Sequence, residues 1–501
     1  AYRYATLAAA DAAAAYAHTE AIEQYERALR SGRYCADVDA HARAALLEQL
    51  GRSKEFSGDL VGAESAYQRV GQLTDQVDLA VNCLRRRARV RQKQNRLTAA
   101  IRLLRQGERR LEGIEPAPWV DRRLAEISDS FDFLLQVTPV NAEAAWREFR
   151  RSKFQYVPRF YYPPLAVEPE KLKRRLHEVR IEHIEDPTLG DLFRQRQDEL
   201  DRKVTMLKDI NTFRFLLGSR QVFGSVDQKL LELGLGLLSQ LPARSRTELR
   251  NGTVTPHEFA ARAQEEIEFY RAQLPSFTAN ATVRTEMFSG LLCSGGNLLI
   301  GHQTSIPARR VQALLQHEVG THLLTYYNGL AQPFQQLHSG FAGYDALQEG
   351  LAVVTEYLVG ELSTQRLRLL AARVLAVHML VDGATFLETF RTLDREYEFS
   401  QRVAYTITMR VYRGGGLTKD AVYLQGLVNI LDYFKHNGEL DPLFVGKIAA
   451  EHIPLIQELQ HRKVLQPPPL RPRYLDMPNV EQRLEQLRNG VSVIDLLEGG
   501  P

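Results

Sequence analysis

Two histidines and a glutamate stand at a spacing that suits metal-assisted hydrolysis. The run His317-Glu318-Val-Gly-Thr-His322 offers two imidazoles, which bind divalent metals, and a carboxylate, which accepts a proton from water. In the common HExxH site the histidines are four residues apart and share one face of a helix. Here they are five apart. On a regular helix five residues turn about 500°, which leaves the two imidazoles about 140° apart.

The five-residue spacing predicts a local distortion of the helix. A π-bulge adds one residue to a turn and is common at functional sites, and Gly320 lowers the cost of the distortion. The helix is expected to begin near Ser305-Ile-Pro307, with the serine as N-cap, and to end at Asn328-Gly329. We therefore predict a π-helical turn through Gly320.

A third metal ligand is expected on a second helix, over Asp345-Ala-Leu-Gln-Glu-Gly-Leu-Ala352. Asp345 and Gln348 are predicted to cap its start. Glu349 lies off the apolar stripe of this helix and on the same side as Glu356. A solvated helix carboxylate would show the same pattern. The assignment of Glu349 as a ligand therefore depends on the presence of the two histidines.

Together these side chains predict one catalytic zinc ion. The ligands would be His317, His322 and Glu349, which leave a coordination position for water. Glu318 is the candidate general base, and Glu356 is a candidate partner for a zinc-bound histidine.

Four other motifs accompany this group: Gln348-Glu-Gly-Leu-Ala352, Arg410-Val-Tyr-Arg-Gly-Gly-Gly416, Lys419-Asp-Ala-Val-Tyr-Leu424 and Thr138-Pro-Val-Asn141. With the histidine motif they resemble the microtubule-associated tyrosine carboxypeptidases and their bacterial relatives named for a QEGLA motif. The resemblance covers about Trp119 to the C-terminus. It implies His317, His322 and Glu349 as zinc ligands and Glu318 as catalytic base. In the eukaryotic members the substrate is the C-terminal tyrosine of α-tubulin.

A carboxypeptidase must also recognise a free carboxylate, and a cationic fork pairs with both of its oxygens. Arg410, Arg413 and Lys419 are the candidates, with an ordinary surface charge as the alternative for each. The tetrahedral intermediate needs a second electrophile beside zinc. Tyr423 is the candidate, and a tyrosine packed in the core is the alternative.

The whole chain has the composition of an ordinary globular protein, with 501 residues, 44% hydrophobic and 25% charged. A net charge of +3 demands neither nucleic acid nor an anionic membrane, and no stretch of about 18 uncharged apolar residues predicts a membrane span. Cys35, Cys83 and Cys293 lie far apart without metal-ligand spacing. This pattern favours the cytoplasm over a disulfide-stabilised setting.

The helical and strand patterns predict a mainly α (α+β) chain. Residues 1–115 resemble tetratricopeptide (TPR-like) helical repeats, residues 116–273 form a helical N-terminal part of the metallopeptidase region, and residues 274–501 form the zinc catalytic part with an extended C-terminal tail. The last two parts are expected to form a zincin-like metallopeptidase domain with a small β-sheet. The Pro-containing segment 115–118 is expected to be a linker.

The repeat-like segment is the place where a protein partner is expected to bind. Ala21, Ala63 and Ala100 occupy equivalent small positions at irregular offsets of 42 and 37 residues, so plain helical hairpins remain an alternative. A basic run, Arg85 to Arg96, lies in the same segment. It lacks the interleaved aromatic residues of a nucleic-acid stacking surface and is interpreted as a solvated helix face.

A β-hairpin is predicted beside the metal motif. Thr282-Val-Arg-Thr-Glu286 and Asn297-Leu-Leu-Ile300 flank the turn signal Ser294-Gly-Gly296. A strand edge next to the site would align an extended peptide by backbone pairing.

These patterns and the resemblance lead to a zinc metallopeptidase, specifically a carboxypeptidase that removes a tyrosine-like C-terminal residue from a protein or peptide. Zinc would polarise the scissile carbonyl and activate water, while Glu318 moves the proton to the leaving amine. The alternatives are a zinc endopeptidase or amidohydrolase with the same ligands, and a regulatory binding protein that acts through the helical repeats.

Overall fold

The computed structural model describes residues 2–15, 17–35, 38–73, 77–111, 117–184, 186–243, 252–285, 287 and 290–497. The chain divides into two compact units, Ala1–Glu115 and Pro116–Pro501. The first half of the segment expected to be a linker, residues 115 and 116, lies outside the described residues. A helix begins at Ala117, within this segment.

The first unit consists of helices that pack on their neighbours in sequence. They are α1 (Tyr2–Ala14), α2 (His18–Gly32), α3 (Ala40–Phe56), α4 (Leu60–Leu73), α5 (Val77–Lys93) and α6 (Leu97–Leu111). The small and aromatic side chains Ala21, Tyr25, Ala63 and Tyr67 are buried between them. A Cβ on Gly51 would lie 2.6 Å from the Tyr67 ring, so this glycine permits close packing of α3 on α4. The tetratricopeptide assignment itself stays a prediction.

The basic run on α5 is partly neutralised by acidic residues of the preceding helices. Arg91 lies 2.6 Å from Glu64 of α4, and Lys93 lies 2.8 Å from Glu55 of α3. These side chains therefore tie α5 to its neighbours, and the run is less free for a polyanion than its sequence alone indicates.

The second unit is also mainly helical, which confirms the predicted predominance of helix. Its helices are α7 (Ala117–Asp129), α8 (Phe133–Gln136), α9 (Ala142–Arg151), α10 (Pro169–His177), α11 (Pro187–Lys208), α12 (Phe213–Phe223), α13 (Gln228–Gln240), α14 (Pro256–Gln273), α15 (Val311–His317), α16 (Leu324–Leu330), α17 (Gln336–Ser339), α18 (Tyr344–Leu358), α19 (Thr364–Val381), α20 (Phe386–Arg391), α21 (Gln401–Tyr412), α22 (Val422–Lys435), α23 (Ile453–His461) and α24 (Val480–Arg488). Helix α18 is buried along most of its length and packs against α15 and α22. No described helix has the length and apolar character needed to cross a membrane.

Two small sheets complete this unit. The strands are β1 (Thr253–Val254), β2 (Ala281–Arg284), β3 (Leu291–Ser294), β4 (Asn297–Gly301) and β5 (Ile306–Pro307). β1 pairs with β5, and the other three form a sheet in the order β2-β4-β3. The tight turn between β3 and β4 places Gly295 at φ 54° and Gly296 at φ 74°, a conformation that favours glycine.

The predicted hairpin exists, but one of its predicted arms is wrong. The antiparallel partner of β4 is β3, whereas β2, which contains Thr282, lies parallel to β4 on the opposite side. Because the turn has only two residues, the strand directly before it, β3, pairs with β4. The earlier strand β2 pairs with the other edge of β4. As a result β3 is an outer strand of this sheet.

The predicted start of the metal-site helix is also wrong. Ile306 and Pro307 pair with Val254 and Thr253 as strand, and a 3-10 turn, Ala308–Arg310, precedes α15. The apolar Ile306 is buried in this pairing. A contact with a distant segment therefore replaces the local capping pattern.

Candidate metal centre and anion-binding cluster

The helix that carries both histidines is continuous but contains a π-helical turn. Helix α15 ends at His317, the π-turn spans Glu318–Leu323, and α16 follows without a break. The prediction of a π-bulge through Gly320 is thereby confirmed. The wider turn brings His317 and His322 to one face, with their ring centroids 5.0 Å apart. A Cβ on Gly320 would lie 2.3 Å from the side-chain oxygen of Gln316, so the turn also leaves no room for a larger residue.

Glu349 on α18 faces these two histidines. One potential ligand atom from each of His317, His322 and Glu349 lies within 4.8 Å of the others. Oε2 of Glu349 is 3.8 Å from Nε2 of His322. Two imidazole nitrogens and one carboxylate oxygen are a donor set that suits a divalent transition-metal ion and leaves a position for water.

Each histidine is oriented through its Nδ1 atom. His317 Nδ1 lies 3.0 Å from Glu356 Oε1, and His322 Nδ1 lies 3.5 Å from Gln348 Oε1. The same Gln348 oxygen accepts a 2.8 Å hydrogen bond from Thr325. A neutral imidazole that donates from Nδ1 presents its lone pair on Nε2. Both histidines thus direct Nε2 toward the shared position, which fits a metal ion.

Glu356 is a fully buried carboxylate that is held by three groups. Arg310 lies 2.7 Å from its Oε2, and Arg366 lies 3.2 Å from Oε1 beside His317. Burial would raise the pKa of Glu356, but the attraction of Arg366 and the hydrogen bond with His317 hold it well below its usual range. The contact that the sequence suggested between Glu356 and one of the candidate ligand histidines, His317, is confirmed.

The predicted capping pair at the start of α18 is wrong. Gly343, with φ 72°, is the N-cap residue, and no side chain caps it. Asp345 instead forms an ion pair with Lys419, and Gln348 contacts Thr325 and His322. Neither side chain caps the helix, because each contacts partners that are distant in sequence.

Glu318 is buried beside the open edge of the β2-β4-β3 sheet. The thiol of Cys293, on β3, lies 3.2 Å from Glu318 Oε2 and is positioned to donate a hydrogen bond to it. Sequence reasoning considered Cys293 only as an isolated cysteine. No short-range pattern connects residues 25 positions apart, so this contact gave no signal in the sequence.

Lys419 contacts Glu349, the third candidate ligand. Its ammonium is 3.1 Å from Glu349 Oε1 and 3.2 Å from Asp345 Oδ1, and its side chain is 3% exposed. Burial would raise the pKa of Glu349, but Lys419 and then His322 outweigh it and hold the pKa at about 2. Lys419 is therefore neutralised by two carboxylates.

A cluster of arginines lies next to Lys419. Arg410 pairs with Asp420 through Nε at 2.6 Å and Nη2 at 2.7 Å, the two-pronged geometry typical of arginine and carboxylate. Arg373 Nε lies 3.7 Å from the same carboxylate. The sequence gave no reason to place Arg373 in this cluster, because its partner Asp420 is 47 residues away.

Arg413 is the under-neutralised member of this arginine cluster. It is 6% exposed, it donates from Nη1 to Thr138 Oγ1 at 2.8 Å, and its Nε has no partner. Among the described residues no carboxylate lies within ion-pair distance of it. Burial, and then repulsion by Arg410, lower the pKa of Arg413 to about 10. A buried cation without an anion is costly, so the cluster favours an incoming anion.

The ring of Tyr423 contacts both Lys419 and Arg373. Its centroid is 5.2 Å from Lys419 Nζ and 4.8 Å from the guanidinium carbon of Arg373. Within the described part of the chain its hydroxyl has no hydrogen-bond partner. The tertiary structure therefore brings Tyr423 next to Lys419, which contacts Glu349, and places Arg410 beside Asp420, the residue that follows Lys419.

The fold and the site together define a mainly helical protein with a candidate metal centre beside a cluster of buried cationic side chains. The chain belongs to the microtubule-associated tyrosine carboxypeptidase family, whose family model matches residues 147–491. This confirms the resemblance that the motifs indicated and places the chain in a family described as carboxypeptidases. Searches of the curated proteins and of the solved structures find no match.

Proposed function

We propose that this protein is a zinc-dependent carboxypeptidase that removes a tyrosine-like residue from the C-terminus of a protein substrate. The observation that carries the proposal is the under-neutralised Arg413 in a cluster that joins the metal centre through Tyr423 and Lys419. An enzyme that cleaves one residue from an end needs an anion receptor close to its hydrolytic centre. The family match supports the same activity.

The metal ligands in this proposal are His317, His322 and Glu349. A zinc ion held by these residues would supply Lewis acidity, which would polarise the scissile carbonyl and acidify a water molecule. Glu318 takes the proton of that water and passes it to the leaving amine. The Cys293 thiol donates to one oxygen of Glu318, which leaves the other oxygen free to accept this proton. Tyr423 supplies a hydroxyl donor for the oxygen of the tetrahedral intermediate.

The substrate carboxylate is bound chiefly by Arg413. Arg410 is already paired with Asp420 and contributes by holding the cluster together, while Arg373 adds positive charge next to the Tyr423 ring. The contacts of Lys419 with Glu349 and Asp345 favour a different task from the carboxylate binding that the sequence predicted.

The outer strand β3 suits an extended peptide. Leu298 donates its backbone N–H to Asn280, away from β3, so its cross-strand partner Cys293 also directs its backbone groups outward. In the described residues no further strand pairs with β3. Because the Cys293 side chain contacts Glu318, a substrate paired with this edge would lie beside the general base.

We further propose that the first unit recruits a protein partner. Leu97, Ile101 and Leu104 on α6 are each about half exposed and recur at helical spacing. The unpaired cysteines Cys35, Cys83 and Cys293 support the cytoplasm as the compartment. We propose no specific nucleic-acid ligand and no membrane partner.

The test compares one peptide ending in tyrosine with a free carboxylate and with an amide. We expect the zinc-loaded protein to release tyrosine from the free acid and to leave the amide uncut. Equal cleavage of both would exclude a carboxypeptidase and favour an endopeptidase or amidohydrolase. Peptide binding without any cleavage would favour a regulatory binding protein.

The variant Arg413→Met tests whether Arg413 binds the carboxylate of the substrate. A hydrogen bond to a charged group contributes about 1.5–3 kcal/mol, so kcat/KM for the free acid should fall roughly 10–100-fold. Because Arg413 has no acidic partner, its loss should not lower the free energy of unfolding. Arg471→Met, at an exposed arginine, is the matched control and should change neither quantity.

A further inference from the structure

A line of buried charges of alternating sign runs from helix α11 to the metal centre. Arg196 lies 3.4 Å from Glu199, Glu199 pairs with Lys203, and Lys203 lies 4.0 Å from Asp345. From Asp345 the line continues through Lys419 to Glu349, as described above. In order its members are Arg196, Glu199, Lys203, Asp345, Lys419 and Glu349.

All members of this charge line are withdrawn from solvent. Their side chains are between 3% and 16% exposed. Each charge would be expensive to bury alone, but every one has a neighbour of opposite sign. Such a line lowers the cost of burial and also fixes the geometry of its last member.

Its start also anchors the helix that carries the third ligand. The second oxygen of Glu199, Oε2, accepts the backbone N–H of Gly343 at 3.0 Å. Gly343 is the N-cap residue of α18, which carries both Asp345 and Glu349. One buried carboxylate of α11 therefore holds the start of α18 and the first ion pair of the line.

The two oxygens of Glu349 have different surroundings. Oε1 receives the ammonium of Lys419 at 3.1 Å, whereas Oε2 faces His322 Nε2 at 3.8 Å. A carboxylate that gave both oxygens to a metal would crowd the position of the water and, with water still bound, would make the ion five-coordinate. Lys419 prevents this because its hydrogen bond engages one of the two oxygens.

We propose that Lys419 is a positioning residue that makes Glu349 a one-oxygen metal ligand, and that Asp345, Lys203 and Glu199 hold Lys419 in that role. The ammonium also withdraws negative charge from Glu349, so a bound ion keeps more of its Lewis acidity. The inference rests on the metal centre of the proposed function. It gives Lys419 a task other than binding the substrate carboxylate.

Two substitutions separate the charge of Lys419 from its hydrogen bond. Lys419→Met removes both, and Lys419→Gln keeps a donor for Glu349 Oε1 without the charge. Lys435→Met, at an exposed lysine on the nearby helix α22, is the matched control. Zinc affinity is measured by competition with a chelator, and the visible spectrum of the cobalt-substituted protein reports the coordination number.

For Lys419→Met we expect zinc affinity to fall about 10–100-fold, as for other residues that orient metal ligands. We also expect the weaker cobalt absorption of a five-coordinate ion, because Glu349 becomes free to bind through both oxygens. Lys419→Gln should keep the four-coordinate spectrum and lose less than about tenfold in affinity. If the Met variant does not fold, the affinity and spectrum of the Gln variant carry the test.

Wild-type zinc affinity and an unchanged cobalt spectrum in the Met variant, or a five-coordinate spectrum in the Gln variant, would overturn the role of Lys419. In that case metal-dependent cleavage by the wild-type protein would still support the proposed function. A wild-type protein that binds no zinc would overturn both.

Discussion

Gly350, the residue after the third candidate ligand, meets Gly426 with no side chain between the two backbones. A Cβ on Gly350 would lie 2.2 Å from the carbonyl carbon of Gly426, and a Cβ on Gly426 would lie 1.9 Å from the carbonyl oxygen of Ala346. Helices α18 and α22 therefore touch backbone to backbone at the level of Glu349. This contact explains physically why the Gln348-Glu-Gly-Leu-Ala352 motif needs glycine at its centre.

Gly350→Ala should force these two helices apart. We expect the free energy of unfolding to fall by about 1–3 kcal/mol, as for other overpacked sites, and zinc affinity to fall because Glu349 moves with its helix. Urea unfolding and chelator competition measure the two effects. Gly236→Ala, where the new Cβ would have an ordinary 3.7 Å contact, should be neutral or slightly stabilising. Equal stability of the two variants would contradict the tight contact.

Glu318→Gln should abolish turnover and leave the metal centre in place. The amide cannot take a proton from water, so kcat should fall by at least about 10²–10⁴-fold. Zinc stoichiometry and the thermal unfolding midpoint should stay near the wild-type values, because Glu318 is not among the expected ligands. Full activity in this variant would disprove the role of Glu318 as base.

Gly320→Ala should strain the π-turn through one identifiable neighbour. The new Cβ would lie 2.3 Å from Gln316 Oε1 and would displace the Gln316 amide from its 3.1 Å hydrogen bond to Glu266. We expect a loss of about 1–3 kcal/mol in the free energy of unfolding. In a double-mutant cycle Gln316→Ala should remove most of the cost of Gly320→Ala. Additive effects would show that the strain has another origin.

Asp420→Asn should destabilise the fold in a pH-dependent way. Burial would raise the pKa of Asp420, but Arg410 and then Arg373 outweigh it and hold the pKa well below its usual range. Removing this buried anion should cost about 3–5 kcal/mol at neutral pH.

The sign of the pH effect follows from that lowered pKa. The stabilisation by the carboxylate is complete above the unfolded pKa of about 3.9 and is lost as the pH falls toward the folded value. The stability difference between wild type and Asp420→Asn, measured by urea unfolding, should therefore shrink as the pH falls below about 4. A difference that grows toward low pH would contradict the assignment.

Removal of zinc should lower the thermal unfolding midpoint. A ligand that binds only the folded state at 100 times its Kd contributes about 2.7 kcal/mol. Thermal scans with added zinc and with excess chelator measure the shift. The double variant His317→Ala, His322→Ala should show no response to either addition, and a response equal to that of the wild type would place the metal elsewhere.

The sequence by itself determined which side chains form the candidate ligand group and which helix distortion their spacing requires. In a regular helix, two histidines five residues apart do not share a face. They can do so only if one turn of the helix contains an extra residue, and this requirement depends on local sequence alone. The same applies to the placement of Glu349 and Glu356 on one side of the next helix, since both follow from helical geometry alone. Residue motifs were also sufficient to indicate the family.

Tertiary structure alone decided which side chains surround that centre. Arg373 and Cys293 reach the site from elements that are remote in sequence. Asp345, which was predicted to cap a helix, forms an ion pair with Lys419 instead. Pro307 pairs as strand with Thr253 although its local pattern predicts a helix start. In each case a long-range contact buries a charge beside its counter-ion or satisfies a backbone group, and such partners have no signature in short-range spacing.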